Sequence, residues 1–254
     1  MKRFVVMLTF LTRIPIPIKF DVDNIDYVKG VVWTPLIAII IGVPLFFTGM
    51  LSEFLNPYIL SVFILAIYLM LSGALHIDGL ADTMDAFGSN RGKSRMLEIL
   101  KDTKMGTFGV LSIVIYCVGM VALIPFAPPF SLLLFPLVGR SAALLCARTN
   151  DYAREDGLGK SFVQGARHWH NAISIVLYLG LAYLVVRSIG LQSVLAVVVP
   201  ALLSVAITWL VVCGMSKKLG GITGDLIGFS IEFTQISFLL FVYIATVIFA
   251  QVGV

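Results

Sequence analysis

Hydrophobic and charged positions are strongly segregated along this sequence. An α-helix needs about 20 apolar residues to cross the roughly 30 Å hydrocarbon core of a bilayer. Stretches of about that length or longer contain no Asp, Glu, Lys or Arg, and they cover residues 30–52, 54–77, 105–139, 168–186, 188–216 and 233–254. The pattern therefore predicts an all-α, polytopic integral membrane protein.

Stretch 105–139 is too long for one crossing, and it contains Pro125, Pro128 and Pro129. Proline favours a turn, so we expect this stretch to cross the membrane twice. Residues 4–11 form an apolar run too short for a span, which favours an interfacial helix. We predict one helical bundle over residues 1–254, with an N-terminal cytoplasmic or interfacial segment, 1–27. It would have about seven transmembrane helices, at 30–50, 57–77, 106–126, 129–147, 171–189, 193–214 and 232–251.

The composition agrees with this prediction. Hydrophobic residues make up 59% of the chain and charged residues 13%, whereas a soluble domain is nearer one half and one quarter. A soluble globular fold is therefore excluded. The three cysteines, Cys117, Cys146 and Cys213, are far apart in apolar surroundings. We interpret them as packing residues, and as neither disulfide partners nor metal ligands.

The positions of Lys and Arg predict the orientation. Of the 18 in the chain, all but Arg140 and Arg187 lie before the first span or in the loops after spans two, four and six. Short loops rich in these residues stay in the cytoplasm. The N-terminus is then cytoplasmic and the C-terminus external. The same bias accounts for the net charge of +4, so no nucleic acid partner is expected.

A cluster of acidic residues directly follows the second predicted span. It contains Asp78, Asp82 and Asp85, just after His76. If the helix continues, spacings of four and three residues place the three carboxylates on one face. Such carboxylates repel one another unless a cation lies between them, and oxygen ligands of this kind suit Mg²⁺ or Mn²⁺. The alternative is a solvated helix end whose Asp residues pair with Arg91 or Arg95.

A second acidic site lies near the other cytoplasmic loop, where Asp225 and Glu232 follow a run of glycines. Gly220, Gly224 and Gly228 recur at every fourth position, which lets a backbone approach another helix or a phosphate closely. A helix-packing ridge explains the glycines equally well. Packing alone does not require the two carboxylates, however.

Candidate anion contacts lie between the two acidic sites. Lys101 and Lys104 precede Gly106 and Gly109, where exposed backbone N–H groups at a helix start could hold a phosphate. Arg140 lies inside the fourth predicted span, so it either pairs with Asp225 or Glu232 or contacts a substrate phosphate. The segment His168-Trp169-His170 favours an interfacial aromatic position over a zinc site.

All of these groups share the predicted cytoplasmic face. A transporter would place its coupling residues near the membrane centre, which here is almost wholly apolar apart from Arg140. An enzyme that acts at the cytoplasmic interface on a phosphorylated substrate fits the pattern better.

These motifs, taken together and in order, resemble the cobalamin synthases, the adenosylcobinamide-GDP ribazoletransferases of bacteria and archaea. The resemblance runs from residue 10 to residue 232. It rests on Phe10-Leu-Thr-Arg13-Ile-Pro15-Ile-Pro17, His76-x-Asp78-Gly-Leu-Ala-Asp82-x-x-Asp85, Arg95, Lys101-Asp102-x-x-x-Gly106-Thr107-x-Gly109, Gly139-Arg140 and Thr223-Gly224-Asp225-x-x-Gly228.

The resemblance implies a Mg²⁺-dependent transferase in the cell membrane, with its active site facing the cytoplasm. Its substrates would be adenosylcobinamide-GDP and α-ribazole or α-ribazole 5′-phosphate. Its products would be adenosylcobalamin, or its 5′-phosphate, and GMP. Contact with membrane lipid is expected, and a homo-oligomer or an association with other corrinoid enzymes stays open.

We assign hypothetical roles on the same basis. Asp78 and Asp82 would hold the metal, with Asp225 and Glu232 contributing. Asp85 would be the general base, because it lies farthest from the membrane. Asp82, Lys101 and Lys104 would complete the catalytic set. The expected substrate contacts are Arg13, His76, Arg95, Asp102, Gly106, Thr107, Arg140, Thr223 and Gly224.

Three other classes are compared with this one. A CDP-alcohol phosphotransferase also begins its motif with Asp-Gly-x-x-Ala, but it requires Arg where this chain has Asp82. A UbiA-like prenyltransferase also uses two aspartate clusters, but builds the first on Asn-x-x-x-Asp. A corrinoid transporter or scaffold without catalysis would not need cytoplasmic carboxylates beside lysines.

The predicted topology can be tested with reporters fused to the C-terminus. An alkaline phosphatase fusion should be active, because the C-terminus is expected outside, and a fusion to a cytoplasm-only reporter should be inactive. Activity of the cytoplasmic reporter alone would contradict the predicted orientation.

Overall fold

The computed structural model describes residues 1–17, 20–189 and 191–252, and its account of side chains omits 158, 185–189, 191–195 and 249–252. Within these ranges the regular secondary structure is helical, and twelve α-helices are described. They are α1 (Lys2–Leu11), α2 (Asn24–Gly30), α3 (Thr34–Gly49), α4 (Pro57–Ser72), α5 (Leu75–Gly88), α6 (Lys93–Ile99), α7 (Thr107–Leu123), α8 (Pro129–Thr149), α9 (Leu158–Gly165), α10 (His168–Ile189), α11 (Leu191–Leu219) and α12 (Gly224–Val252).

The prediction of an all-α membrane protein is confirmed. Among the described residues, five segments are long and apolar enough to cross a membrane: Asn24–Glu53, Thr107–Phe126, Pro129–Thr149, Ala196–Leu219 and Gly224–Ile248. The bent pair α4 and α5 adds a sixth if it counts as one span. The predicted span 171–189 lies in α10, partly outside the described side chains, as does Arg187. The count of seven and the orientation stay predictions.

The second predicted span, 57–77, does not continue as one straight helix. Helix α4 ends at Ser72, and α5 leaves it at an angle of 93°. Gly73 and Ala74 both adopt left-handed backbone conformations, with φ of 65° and 52°, and such a residue after the last helical turn ends an α-helix. The acidic residues therefore lie on a helix that runs across α4.

The side chain of Arg13 covers this bend. The backbone N–H of Arg13 donates to the carbonyl of Leu71 at 2.8 Å. A Cβ atom at Gly73 would lie 2.3 Å from Arg13 Cγ. The N-terminal segment thus packs on the bend through Arg13, and this is where the structure places that predicted substrate contact.

Helix α8 lies at the centre of the bundle, since 78% of its most apolar window is buried. It packs against α3 and α12, and α12 also packs against α5. Cys146 is buried and Cys117 and Cys213 are partly buried, in agreement with their interpretation as packing residues.

The crossing of α5 and α12 leaves no space for a side chain at two positions. A Cβ atom at Gly79 would lie 2.7 Å from the carbonyl oxygen of Asp225, and one at Gly228 would lie 3.2 Å from that of His76. The packing interpretation of the glycines is correct for Gly228. Gly220 instead has a φ of 77° and forms the turn after α11.

We expect Gly79→Ala to lower the free energy of unfolding by about 1–3 kcal/mol, because the new methyl group meets backbone that cannot rotate away. The measurement is the unfolding midpoint in detergent micelles. Gly214→Ala is the matched control, since nothing lies within 4 Å of a Cβ atom there. Equal midpoints for the two variants would show that α5 and α12 do not pack this closely.

Candidate active site

A cavity of about 180 Å³ lies where α1, α3, α5, α8, α9 and α12 meet. Most of its wall is apolar, and Phe10, Phe162 and Ile231 contribute to it. Its polar wall consists of Thr34, His76, Asp78, Arg140 and Asp225. The cavity therefore brings together predicted site residues from three separate helices, α5, α8 and α12.

The close approach of α5 and α12 places Asp78 and Asp225 on this one cavity. Gly224 also lines it, beside Gly159 of α9, where a Cβ atom would lie 2.9 Å from Gly224 Cα. The two acidic motifs, which are 147 residues apart in the chain, thus form one site.

The carboxylates of this site repel one another. Asp82, half-buried on α5, is repelled by the carboxylates of Asp78, Asp225 and Asp85. Such repulsion is relieved either by a proton on one carboxylate or by a cation nearby. The expectation that a metal ion binds here stays a prediction.

One cation beside these carboxylates is Arg154, which lies in the loop between α8 and α9 and was not among the predicted site residues. Its Nη2 atom donates to Asp225 Oδ2 at 2.8 Å and to the carbonyl of Leu100 at 3.1 Å. Both side chains of the ion pair are about one-fifth exposed, so water screens the pair less than it would at the surface. Arg154 therefore neutralises part of the acidic charge and joins two loops.

A short backbone bridge positions Arg154. The N–H of Ile222 donates to the carbonyl of Asp151 at 2.7 Å, and the N–H of Ala153 donates to the carbonyl of Ile222 at 2.9 Å. Burial raises the pKa of the neighbouring Tyr152 phenol. No spacing rule in the sequence marks this long-range contact.

The predicted metal ligands are only partly brought together. No group of three or more His, Cys, Asp or Glu is close enough to hold a metal ion in the part of the chain that the structure describes. Asp78, Asp82 and Asp225 offer carboxylate oxygens, which suit a Mg²⁺ ion that completes its shell with water and substrate phosphate. They do not form a closed protein cage.

Glu232 lies away from these carboxylates, which corrects the expectation that it contributes to the same site. It follows Asp225 by seven residues, or about 10 Å along α12. Its buried carboxylate accepts hydrogen bonds from the hydroxyl of Tyr68, at 2.6 Å, and from the hydroxyl of Tyr116. Glu232 therefore ties α12 to α4 and α7.

Arg140 is fully buried in the cavity wall. Its Nη1 atom lies 3.4 Å from the carbonyl of Pro136, while Nε and Nη2 have no hydrogen-bond partner. Among the described residues no carboxylate lies within 4.0 Å of it, so the expected ion pair with Asp225 or Glu232 is absent. The Tyr68 hydroxyl and the more distant Glu232 carboxylate favour its charge, but neither meets the geometric criteria for a hydrogen bond to Nε or Nη2.

Two other polar atoms of the cavity wall also lack a hydrogen-bond partner. His76 Nε2 and Thr34 Oγ1 are buried without a hydrogen-bond partner. A buried donor without a partner costs about 1–3 kcal/mol. Arg140, His76 and Thr34 thus leave unused hydrogen-bonding capacity around one cavity, which suits an oxyanion or a hydroxyl group of a ligand.

Asp85 differs most from its expected role. It is the most buried of the three α5 carboxylates, and its oxygens accept the backbone N–H groups of Gly106, at 2.6 Å, and Gly109, at 2.8 Å. Asp85 therefore caps the start of α7. The N–H groups of Gly106 and Gly109 are therefore not free for a phosphate, and the Asp85 oxygens are already engaged by backbone donors rather than free to accept a substrate proton.

Several predicted contacts lie outside the cavity lining. Arg95 pairs with Glu98 at 2.7 Å in an exposed ion pair. Thr223 is buried, and its hydroxyl accepts the N–H of Leu226 at 3.2 Å at the start of α12. The other residues of this group are exposed near the start of α7, and they are Lys101, Asp102, Lys104 and Thr107.

Comparison with known proteins gives one consistent result. The profile of the family described as cobalamin-5-phosphate synthase matches residues 3–243. Proteins named adenosylcobinamide-GDP ribazoletransferase are 38% identical in Alkaliphilus oremlandii and in Acetivibrio thermocellus, each alignment covering 96% of this chain and 98% of the relative. The protein of that name in Clostridium acetobutylicum is 34% identical, over 95% of this chain and 96% of its own. No solved structure matches the chain.

We expect Asp85→Asn to lower the free energy of unfolding by about 1–3 kcal/mol, because an amide NH₂ group would face a backbone donor. Hydrogen exchange at residues 106–110 should be faster. The exposed Asp156→Asn is the control and should change neither. Unchanged stability and exchange together with a loss of catalytic turnover would instead support Asp85 as a base.

Proposed function

The chain belongs to the cobalamin-5-phosphate synthase family, and from that membership and the chemistry of the cavity we propose that it is an adenosylcobinamide-GDP ribazoletransferase. It joins α-ribazole or α-ribazole 5′-phosphate to the corrinoid-linked phosphate of adenosylcobinamide-GDP. Family membership favours this function over a CDP-alcohol phosphotransferase, a prenyltransferase or a scaffold. The observation that carries the proposal is the single cavity with carboxylates and an unpaired arginine.

The reaction exchanges one P–O bond for another. A ribose hydroxyl oxygen attacks the phosphorus on the corrinoid side of the pyrophosphate, and the bond to the GMP phosphate breaks. GMP leaves with the electron pair of that bond, and the hydroxyl proton passes to a base. Such a transfer depends on positioning and on neutralising phosphate charge more than on covalent catalysis.

Arg140 is the residue that we assign to the phosphate oxygens. Its unpartnered Nε and Nη2 donors lie in a buried wall, where a charged hydrogen bond is worth more than in water. His76 and Thr34 supply further buried polar atoms at the same wall. A bound phosphate would satisfy groups that the protein itself leaves without partners.

Asp78 and Asp225, which both line the cavity, are the metal ligands in this proposal, with Asp82 nearby. A Mg²⁺ ion bound there would neutralise charge on the pyrophosphate. Arg154 holds the Asp225 carboxylate through its 2.8 Å ion pair. Since Asp85 caps α7, we transfer the role of proton acceptor to Asp82, which its partial burial and the neighbouring carboxylates make a better base than an isolated Asp.

The surface cations have a supporting role in this proposal. Lys101, Lys104 and Arg95 lie outside the cavity lining, and all three are exposed. They would raise the local concentration of an anionic substrate at the entrance. We also propose that the protein lies in the cell membrane with this cavity facing the cytoplasm, where its nucleotide substrate is present.

The decisive test measures GMP release by the full chain reconstituted in vesicles. GMP should appear only when adenosylcobinamide-GDP, ribazole and Mg²⁺ are all present, and a chelator should stop its release. Asp78→Asn and Arg140→Gln should each lower the rate about 100-fold or more, while the exposed Asp21→Asn should not. Release that needs no ribazole, or near-normal turnover of Asp78→Asn, would contradict the proposal.

A further inference from the structure

A second, larger cavity is a groove on the side of the helical bundle, between α8, α10 and α11. It has a volume of about 400 Å³. Its wall is mostly apolar, and Ile175 and Leu179 of α10 and Leu202 of α11 are half exposed or more. Since α8 and α11 contain segments that could cross a membrane and α10 contains the predicted span 171–189, we expect the groove to face lipid tails. It shares only α8 with the cavity described above.

One end of the groove carries polar groups on all three helices. Arg148 follows the groove residue Leu145 by three positions, and Trp209 follows Val205 by four. His168 precedes Asn171 by three. Residues three or four apart lie on the same helix face, so these side chains continue the groove toward the end predicted to be cytoplasmic.

Hydrogen bonds show that these groups lie at the same level. Arg148 Nη2 and His168 Nε2 are 2.7 Å apart. Trp209 Nε1 donates to Thr149 Oγ1, the neighbour of Arg148, at 3.0 Å. A cation and an indole at the end of an apolar groove are the side chains expected at the lipid headgroup level.

The charge of Arg148 is not neutralised by the protein. None of the ion pairs formed by the described residues includes it. Its hydrogen bond goes to an imidazole, which carries no negative charge. The groove wall also contains an acceptor, Asn171 Oδ1, that is buried without a partner. The groove thus combines apolar surface with an unpaired cation and an unused acceptor.

We propose that this groove binds a glycerophospholipid with a net negative headgroup. One acyl chain lies between α8, α10 and α11, and the lipid phosphate lies against Arg148, near His168 and Trp209. Charge complementarity selects an anionic lipid over a zwitterionic one, whose own cation would be repelled by Arg148. Because the lipid contacts all three helices, it would hold α10 and α11 against α8.

Quenching of Trp209 fluorescence tests this proposal. In a chain with Trp33→Phe and Trp169→Phe, Trp209 is the single remaining tryptophan. This chain is reconstituted in vesicles with equal mole fractions of brominated phosphatidylglycerol or brominated phosphatidylcholine. We expect the anionic lipid to bind beside Trp209 about five-fold more strongly, as one cation near the headgroup predicts.

Three variants in that background separate a site from general lipid contact. Arg148→Gln should reduce the preference to about one, and Arg148→Lys should retain part of it. Arg91→Gln removes an exposed cation from the turn between α5 and α6 and should leave the preference unchanged. Ala201→Phe fills the groove and should weaken quenching by both lipids.

Several results would overturn the proposal. Equal quenching by the two lipids in the parent chain would mean ordinary boundary lipid, and an unchanged preference in Arg148→Gln would mean that Arg148 does not bind the headgroup. Cross-linking of two chains through this face, with quenching by both lipids weak, would mean that a second copy fills the groove. If Arg148→Gln does not fold, unaltered quenching of the Ala201→Phe variant would still reject the site.

Discussion

The contact between Gly79 on α5 and the backbone of Asp225 on α12 determines where the site forms. With only hydrogen atoms between them, the two helices cross closely enough for Asp78 and Asp225 to line one cavity. The bend at Gly73 and Ala74 allows α5 to cross α12, because it turns α5 away from α4 by 93°. A straight continuation of α4 would direct the acidic residues away from α12.

Charged groups within this apolar bundle are stabilised in three different ways. Glu232 receives two tyrosine hydroxyl donors, and Asp85 receives two backbone N–H donors at the start of α7. Asp225 pairs with Arg154. Arg140 has no such arrangement for two of its nitrogen atoms. The first three groups thus have their hydrogen-bonding or charge partners within the fold, whereas a ligand can supply the missing partners of Arg140.

Hydropathy was sufficient to predict the helical membrane architecture, and local motifs singled out Asp78, Asp225 and Arg140, which line one cavity. These features depend on local composition, which the sequence displays directly. The bend was not predictable, since Ala74 adopts a left-handed conformation that its own side chain disfavours. The partners of Glu232 and Asp225 were missed because they are 164, 116 and 71 residues away. Only tertiary packing brings such groups together.

The length of α4 has a consequence for the membrane itself. Its 16 residues rise about 24 Å, which is less than the roughly 30 Å thickness of a hydrocarbon core. If α4 begins at one boundary of the hydrocarbon core, the chain turns before it has completed a crossing, and α5 starts close to the opposite boundary between acyl chains and headgroups. The hydration of the carboxylates would then vary with bilayer thickness, so a thicker membrane would make the same acidic site drier.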